Sequence, residues 1–476
     1  MSRTVGGLLV AGGGGVAAIL GALMVTVRSL VMLLIVTGCL AAPAPVVGGL
    51  AGDWHGRIEV PGLPLDVGVR FTEDNGTLGG TIDIPARGIT ARPLSEVRQD
   101  GARVGFTISG VPGDGGFVGT VQGDTLAGDF TQAGQTVPFS LARGALPARV
   151  RRQEPRPPLP YRSEDVAYRN GEVDLAGTLT LPAGPGPFTA LLLVTGSGGQ
   201  DRDETVAGHK PFLVLADALT RAGYAVLRVD DRGVGGSSGD LLSTDYDKLA
   251  GDIVVGVDYL RSRPDVERVG LLGHSEGGYL VPLAAQRCAN VAFVVMMAGS
   301  AVPGDQVLEL QERRLLGAAG LPPEQVEAQV ATVRKLVELV AAQDYTGARI
   351  PARQVLVGQG LPPDQIDAKL PYLTSRYFRA LAVHDPAPSL DALTVPVLAL
   401  YGGKDLQVPA DQSVPALRAR LADNPDVTIE TFPELNHLMQ PATSGAPTEY
   451  ATIETTLAPE VLEFITRWLK QRYPAG

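Results

Sequence analysis

Apolar and polar residues alternate with a period of two through residues 50–143. Val67, Val69 and Phe71, for example, share one predicted face, and runs with the same spacing recur further along this segment. Turn signals built from Asp, Asn and Gly separate the runs. Short alternating runs bounded by turns predict an antiparallel β sandwich or barrel. Because no cluster of His or Cys falls here, we interpret the segment as a small all-β accessory domain.

A different pattern begins at Ser163. Two antiparallel strands are predicted first, at Ser163–Arg169 and Val173–Leu181, and fully apolar runs then alternate with helical patterns. Continuous Val, Leu and Ile runs indicate strands buried on both faces, and hence a parallel sheet covered by helices. The apolar runs are Leu191–Thr195, Ala225–Val229, Val269–Leu272, Phe293–Met297, Val397–Tyr401 and Thr428–Phe432. Residues 163–476 are therefore predicted to form a doubly wound α/β domain.

One stretch of this domain, residues 304–388, contains no strand candidate. Several valines in it recur on one face at helical spacing, and the phrase GLPPEQVEAQV at Gly320–Val330 is echoed by GLPPDQIDAKL at Gly360–Leu370. Proline followed by an acidic residue in the first turn is typical of a helix start. The stretch is therefore predicted to be a helical insert that covers the sheet as a lid.

The segment between the two predicted domains, residues 144–162, is rich in proline and arginine. Proline restricts the backbone and arginine favours contact with water. This composition predicts a stiff, exposed linker that marks the domain boundary.

The first 39 residues are predicted to carry a targeting signal. The apolar run Leu30–Val36 follows Arg28 and precedes small residues that lead to Cys39. A positive charge, a short apolar run and then small residues indicate a secretory signal rather than a membrane span. The sequence ending at Cys39 also resembles the bacterial lipobox, which implies cleavage before this cysteine, its lipidation, and a tether at residues 40–49. Met24 is an alternative start, and an uncleaved N-terminal anchor helix is the alternative to cleavage. Either interpretation predicts export to the cell envelope and attachment to a membrane.

The balance of charges narrows the possible partners. The 476 residues include 40 Lys and Arg against 51 Asp and Glu, a net charge of −11. Nucleic-acid binders need clustered Lys and Arg to contact phosphates, so no nucleic-acid partner is expected. The two cysteines, Cys39 and Cys288, provide neither a zinc spacing nor a disulfide framework. Cys288 lies on a predicted helix and is expected to be a small buried apolar residue.

The motif G-x-S-x-G occurs twice, and it presents a serine nucleophile only where a strand turns sharply into a helix. In GHSEGG, Ser275 follows the apolar run Val269–Leu272 and precedes a helical pattern. In GGSSG, Ser237 lies in a loop with no helix directly behind it. Ser275 is therefore the predicted nucleophile.

A serine hydroxyl needs a base to remove its proton, and the base needs an acid that fixes its tautomer. After a nucleophile in this kind of turn, the acid and then the histidine follow along the chain. Asp405 follows a predicted strand at its C-terminal end, where catalytic groups gather, and His437 is the histidine beyond the last strand. Asp411 is the alternative acid, although a helix cap is the role expected of it. Structural roles are expected of two further histidines, His274 and His384.

Stabilising an oxyanion requires backbone N–H groups that already point at its position. One is expected from Glu276, directly after the nucleophile. The other is expected from the loop after Leu191–Thr195, where the glycine-rich sequence Gly196–Gly199 lets the backbone approach. Gly198 is the first choice there and Ser197 the second. A phosphate-binding glycine loop is excluded because no P-loop Lys-Ser/Thr follows.

Five phrases occur in order along the second domain: GSGGQDRDET, DDRGVGGSSG, GHSEGG, YGGKDLQVP and LNHLMQ. In them the chain from Ser163 onward resembles the bacterial α/β-hydrolase esterases of the prolyl-oligopeptidase-like and dienelactone-hydrolase-like group. Gly199 departs from that group's usual GSGPQDRDE, within the loop assigned to the oxyanion. The resemblance implies an α/β-hydrolase fold, a carboxylic ester substrate with a short to medium acyl chain, and no metal or cofactor. The β-rich first domain resembles accessory domains that some such esterases carry.

The sequence therefore predicts a serine hydrolase that cleaves small-molecule carboxylic esters through Ser275, His437 and Asp405. A serine peptidase or an acyltransferase would use the same three residues. The alternative outside the enzymes is a lipid-anchored binding protein without catalytic activity.

Overall fold

The computed structural model describes residues 49–475, except for 62–63, 86–88, 109–114, 148–150 and 362. The predicted signal peptide, its Cys39 and most of the predicted tether lie outside the described residues. Among the residues that are described, no helix is both long enough and apolar enough to cross a membrane.

A closed barrel of eight antiparallel strands forms the first domain, and β1 pairs with β8 to complete it. The strands are β1 (Gly52–Ile58), β2 (Leu65–Asp74), β3 (Thr77–Ile84), β4 (Ile89–Asp100), β5 (Arg103–Ile108), β6 (Gly115–Gln122), β7 (Thr125–Gln132) and β8 (Gln135–Arg143). The predicted alternation appears in the burial of Val67, Val69 and Phe71, which are at most 2 % exposed. Of the two predicted arrangements, sandwich and barrel, the structure has the barrel.

Aromatic rings fill the interior of this barrel. The ring of Phe106 stacks on Phe117 with centroids 4.4 Å apart, and Phe139 meets Phe117 edge-on at 5.0 Å. Trp54 is fully buried and donates its indole N–H to the carbonyl oxygen of Leu50 at 2.9 Å. Large buried rings with a satisfied polar group give this small domain a packed core of its own.

The described residues of the segment after the barrel are exposed or half-buried except for Arg151, which differs from the prediction of an exposed linker. The Arg151 side chain is 1 % exposed and donates to the carbonyl oxygens of Gly208 and Ala451, each at 3.0 Å. Gln153 accepts the backbone N–H of Thr456 at 2.6 Å. The prediction is wrong here because composition indicates where arginine usually lies. It cannot show that distant loops offer carbonyl oxygens to a guanidinium with five donors.

A single eight-stranded sheet forms the centre of the second domain, in the order β16-β15-β14-β13-β11-β12-β10-β9. Strands β11 to β16 are mutually parallel, and β10 runs antiparallel to both of its neighbours. The strands are β9 (Arg162–Asn170), β10 (Val173–Leu181), β11 (Phe188–Val194), β12 (Ala225–Val229), β13 (Val266–His274), β14 (Val291–Met297), β15 (Val397–Gly402) and β16 (Val427–Phe432). The predicted apolar runs all lie on these strands.

Helices cover both faces of the sheet. In the described residues they are α1 (Pro211–Arg221), α2 (Tyr246–Arg261), α3 (Gly277–Arg287), α4 (Gly304–Ala318), α5 (Pro323–Ala341), α6 (Tyr345–Gly358), α7 (Pro363–Leu373), α8 (Arg376–Val383), α9 (Ala387–Asp391), α10 (Ala410–Arg420) and α11 (Pro459–Arg472), with a 3-10 helix at Pro447–Thr452. On β11, Leu192 packs in the core beneath α2 and α3, and Leu191 packs in the core beneath α1 and α11. Burial on both faces explains why these strands are apolar without alternation.

The stretch predicted as a lid is helical, and α4 to α9 occupy it. Val333, Val337 and Val340 of α5 pack with Phe378 of α8 in a small core of the lid. The valines that recur at helical spacing therefore bury one face of α5 within the lid itself.

Candidate active site

Ser275 lies in the turn between β13 and α3, with a backbone φ of 53°. This left-handed conformation is unfavourable for a residue with a side chain, and it lifts the serine to the tip of the turn. Two glycines permit the turn. A Cβ atom at Gly277 would lie 2.3 Å from the Val194 carbonyl oxygen, and one at Gly273 would lie 2.2 Å from the Gly277 oxygen. The strand-turn-helix context predicted for Ser275 is present.

Three side chains assigned to one site from the sequence lie in a hydrogen-bonded line. His437 Nε2 lies 2.9 Å from Ser275 Oγ, and its Nδ1 lies 2.7 Å from Asp405 Oδ2. The other carboxylate oxygen of Asp405 accepts the backbone N–H groups of Gln407 at 2.7 Å and Val408 at 2.9 Å. A carboxylate only accepts, so Nδ1 of His437 carries a proton and Nε2 is left to accept the serine hydroxyl.

Asp411 and His384 lie in environments of another kind. The Asp411 carboxylate is in the first turn of α10 and pairs with Arg314 at 2.6 Å on the surface. The His384 ring packs against Tyr246 and Tyr279, with centroid distances of 4.9 and 4.8 Å. Burial lowers the pKa of His384 to about 4, so the ring is uncharged at neutral pH. The surroundings of His384 fit the structural role expected of it. Asp411 was expected to cap the helix, but Pro409 is the N-cap of α10 and no side chain caps it.

Ser237, in the second G-x-S-x-G, uses its hydroxyl to fix a loop. It donates to the carbonyl oxygen of Asp230 at 2.7 Å and accepts the N–H of Ala176 at 2.9 Å. The residue is 8 % exposed. A buried hydroxyl with both capacities used in backbone contacts is a structural group.

His274, directly before Ser275, is buried beneath the site and contacts both the loop of Glu204 and the loop of His437. Its Nδ1 lies 2.8 Å from Glu204 Oε1, and its Nε2 lies 3.0 Å from the carbonyl oxygen of His437. Burial opposes a charge on the ring, but the Glu204 carboxylate and the carbonyl oxygen outweigh it and raise the pKa of His274. The same Glu204 oxygen accepts the Gly196 N–H at 2.7 Å. Glu204 was not among the site residues predicted from the sequence. The only feature that could have indicated it is its position in the phrase GSGGQDRDET.

The backbone donors near Ser275 differ from the predicted set in one position. The N–H of Gly198, the first choice, donates to the hydroxyl of Tyr377 at 2.8 Å. For Ser197 and Glu276, the structure gives the backbone N–H no acceptor among the described residues. The acceptor comes from the lid, because Tyr377 lies on α8, and its approach to the glycine loop is not visible in sequence spacing. Ser197, the second choice, is thus the donor left free beside Glu276.

Glu276 and Asp231 line a cavity of about 70 Å³ beside the glycine loop. Glu276 accepts the hydroxyls of Tyr246, at 2.7 Å, and of Tyr377. Burial raises the pKa of Glu276 to about 7, against the opposing effect of these hydroxyls. Burial likewise raises the pKa of Asp231 to about 8. Neither tyrosine contact was predicted from the sequence.

The raised pKa of Glu276 makes stability depend on pH. Between pH 4.5, its usual pKa, and about 7, the unfolded chain ionises this group while the folded chain keeps it protonated. The free energy of unfolding therefore falls as pH rises through this window, by up to about 3 kcal/mol. We expect urea unfolding to show this fall, and Glu276→Gln, which cannot ionise, to show a smaller one. An equally steep fall in the variant would contradict this explanation.

Comparison with known proteins identifies relatives of the second domain. A model of the Hydrolase_4 family, described as serine aminopeptidase, S33, matches residues 210–352. Esterase EstD of Thermotoga maritima is 32 % identical over 313 residues, which cover 66 % of this chain and 68 % of that protein. Human acyl-coenzyme A thioesterase 1 is 35 % identical over 162 residues, or 33 % of this chain and 34 % of the thioesterase.

Solved structures with a similar arrangement come from several organisms. An esterase of Pyrococcus furiosus has 16 % identity and a TM-score of 0.43, covering 66 % of this chain and 92 % of its own. A proline iminopeptidase-related protein of Thermus thermophilus has 22 % identity and a TM-score of 0.42, covering 66 % and 100 %.

The 32 % identity to Esterase EstD, over 68 % of the length of Esterase EstD, establishes the family. The predicted α/β-hydrolase fold and the prediction of an enzyme are confirmed, and the alternative of a binding protein without activity is set aside. The chain belongs to the esterase family of serine hydrolases that includes Esterase EstD.

Proposed function

We propose that this protein hydrolyses carboxylic esters, with Ser275 as nucleophile, His437 as base and Asp405 as the partner of the base. The observation that carries the proposal is the line of hydrogen bonds from Ser275 Oγ to His437 at 2.9 Å and on to Asp405 at 2.7 Å. A nucleophile, a base and an orienting acid in contact are what acyl transfer requires.

The reaction then follows from proton positions. Ser275 Oγ attacks the ester carbonyl carbon while its proton passes to Nε2 of His437, and Asp405 stabilises the resulting imidazolium. His437 next gives this proton to the departing alcohol, which leaves an acyl group on Ser275. A water molecule that donates its proton to His437 attacks the acyl-enzyme. The proton returns to Ser275 as the carboxylic acid is released.

The negative charge that develops on the carbonyl oxygen needs donors that are already in place. We assign this role to the backbone N–H groups of Ser197 and Glu276. Support comes from their lack of an acceptor among the described residues, while the neighbouring N–H groups of Gly196 and Gly198 are bonded to Glu204 and Tyr377.

The acyl group is proposed to be of short to medium length. The resemblance of the five phrases to esterases that act on short acyl chains supports this.

We also propose that the protein is exported and anchored to the cell-envelope membrane through a lipid on Cys39. The support is the sequence alone, a charge at Arg28 followed by an apolar run and a lipobox-like ending. Metabolic labelling with a radioactive fatty acid tests it, since Cys39→Ala should abolish the label. A label that persists in the variant would show that the lipid is not attached to Cys39.

The test of the function is hydrolysis of a p-nitrophenyl ester series from acetate to palmitate by the full-length chain. We expect turnover that is greatest at short to medium acyl chains, together with covalent labelling by a fluorophosphonate. Turnover that rises steadily to palmitate would contradict the proposed acyl range. Absence of both turnover and labelling would contradict the proposed site.

A serine peptidase is the second candidate, because the matching family model is described as a serine aminopeptidase. The same three side chains would then attack an amide, and His437 would protonate the departing amine. Amino-acid p-nitroanilides assayed beside the esters distinguish the two functions. A kcat/KM for the anilides above that for the best ester would favour the peptidase.

A further inference from the structure

The lid directs one hydroxyl into the site that the reaction described above does not use. Tyr377, at the start of α8, is 2 % exposed. Its hydroxyl accepts the N–H of Gly198 at 2.8 Å and donates to the carboxylate of Glu276. Burial raises the pKa of Tyr377 well above its usual value, so the hydroxyl keeps its proton at any working pH.

The two groups that Tyr377 joins adjoin the two proposed oxyanion donors. Gly198 directly follows Ser197, and Glu276 carries the second donor on its own backbone. The backbone at Gly198 has a φ of 93°, and its N–H is held by the Tyr377 hydroxyl. On the other side of Ser197's peptide, Gln200 Nε2 donates to the Ser197 carbonyl oxygen at 3.2 Å, so the Tyr377 hydroxyl is one of the two hydrogen-bond partners that fix this part of the loop.

We propose that Tyr377 is a positioning residue for the oxyanion site: it holds Gly198 and Glu276 together and thereby sets the spacing of the N–H groups of Ser197 and Glu276. The inference rests on the proposed function, because these are the donors of that reaction. It makes the lid part of the catalytic geometry. A small displacement of a donor affects the transition state most, because the charge on the oxygen develops only there.

The rest of the lid can keep its place without the Tyr377 hydroxyl. The Tyr377 N–H donates to the Leu242 carbonyl oxygen at 3.3 Å, and the ring contacts Tyr372 with centroids 5.7 Å apart. Phe378 anchors the same helix in the core of the lid. Tyr377→Phe therefore removes one oxygen atom, and with it the bonds to Gly198 and Glu276, while the ring packing stays.

The experiment compares the full-length chain with Tyr377→Phe at about pH 8, where Glu276 is ionised. We expect kcat for the best p-nitrophenyl ester to fall about 10- to 100-fold, with KM changed by less than about threefold. Binding of a trifluoromethyl ketone, which forms an oxyanion on the serine, should weaken by the same factor as kcat. Binding of an aliphatic alcohol, which carries no charged oxygen, should stay unchanged, which a general loosening of the site would not predict.

Two matched variants separate positioning from general stability. Tyr246→Phe removes the other hydroxyl bound to Glu276, at 2.7 Å, and leaves the glycine loop untouched. Phe378→Leu loosens the lid core and keeps the Tyr377 hydroxyl. Both should retain kcat within about threefold. If Tyr377→Phe does not fold, Glu276→Gln serves instead. The two tyrosines donate to different oxygens of Glu276, and the glutamine NH₂ that replaces one of them can only donate, so the pair of contacts is broken and kcat should fall while KM is kept.

An unchanged kcat in Tyr377→Phe, a loss confined to KM, or an equal loss in Tyr246→Phe would overturn the inference. A wild-type chain that hydrolyses no ester would instead contradict the proposed function. The two failures are therefore distinguishable.

Discussion

Ser275→Ala is expected to lower kcat for a short-chain p-nitrophenyl ester by about a million-fold, with little change in KM. In the proposed reaction this hydroxyl forms the acyl-enzyme, and it is the group that lies against Nε2 of His437 in the line of hydrogen bonds. The oxyanion donors remain in the variant, so a residual rate about 10³- to 10⁴-fold above the uncatalysed reaction should survive. Stopped assays at high enzyme concentration measure this residual rate of ester hydrolysis.

Ser237→Ala is the matched control, since Ser237 lies in the other copy of the same motif. Its hydroxyl bonds only to the backbone of Asp230 and Ala176. We expect the control to lose stability, by about 1–3 kcal/mol for the buried groups left without partners, and to keep its turnover and its fluorophosphonate label. Label that disappears in Ser237→Ala and persists in Ser275→Ala would reverse the assignment of the nucleophile.

The three aligned side chains could be proposed from the sequence because each lies in the segment that follows a strand. Ser275, Asp405 and His437 follow β13, β15 and β16, and the carboxyl ends of parallel strands meet at one edge of a sheet. Apolar runs reveal buried strands, and chain order then assigns the roles. Local pattern thus contains enough information to bring together residues that are 162 positions apart.

The contacts around these residues could not be predicted in this way. Tyr377 reaches Gly198 across 179 residues, from a lid whose helices are visible in the sequence but whose placement over the sheet is not. Glu204 meets His274 from a loop with no periodic pattern. Such contacts depend on how whole helices and loops pack against each other. The spacing of residue types along the sequence does not predict that packing. For the same reason, the sequence did not show that the N–H of Gly198, the first choice of oxyanion donor, is bonded to Tyr377.

The first domain shows the same limit at the level of architecture. Alternation with a period of two places Val67, Val69 and Phe71 in a core, and they are buried there. The same alternation fits a sandwich and a barrel equally well, because both bury one face of each strand. Closure depends on the pairing of β1 with β8, a contact between the two ends of the domain that no local pattern contains.

Asp405→Asn is expected to lower kcat by about 10⁴-fold while KM stays within a few-fold of the wild type. In the wild type, the backbone N–H groups of Gln407 and Val408 donate to one oxygen of Asp405 and His437 faces the other. The asparagine oxygen must keep the backbone donors, because turning the amide would set its NH₂ against two N–H groups. The NH₂ group therefore faces His437.

An NH₂ group that donates to Nδ1 of His437 forces the neutral ring to carry its proton on Nε2. That nitrogen then donates toward Ser275 Oγ and cannot take the serine proton, so the site keeps its shape and loses its base. Asp411→Asn is the control, because this carboxylate pairs with Arg314 on the surface, and its activity should match the wild type. The pH dependence of kcat, with an unfolding midpoint for each variant, separates a lost base from a lost fold. Full activity in Asp405→Asn with loss in Asp411→Asn would mean that the acid had been assigned to the wrong residue.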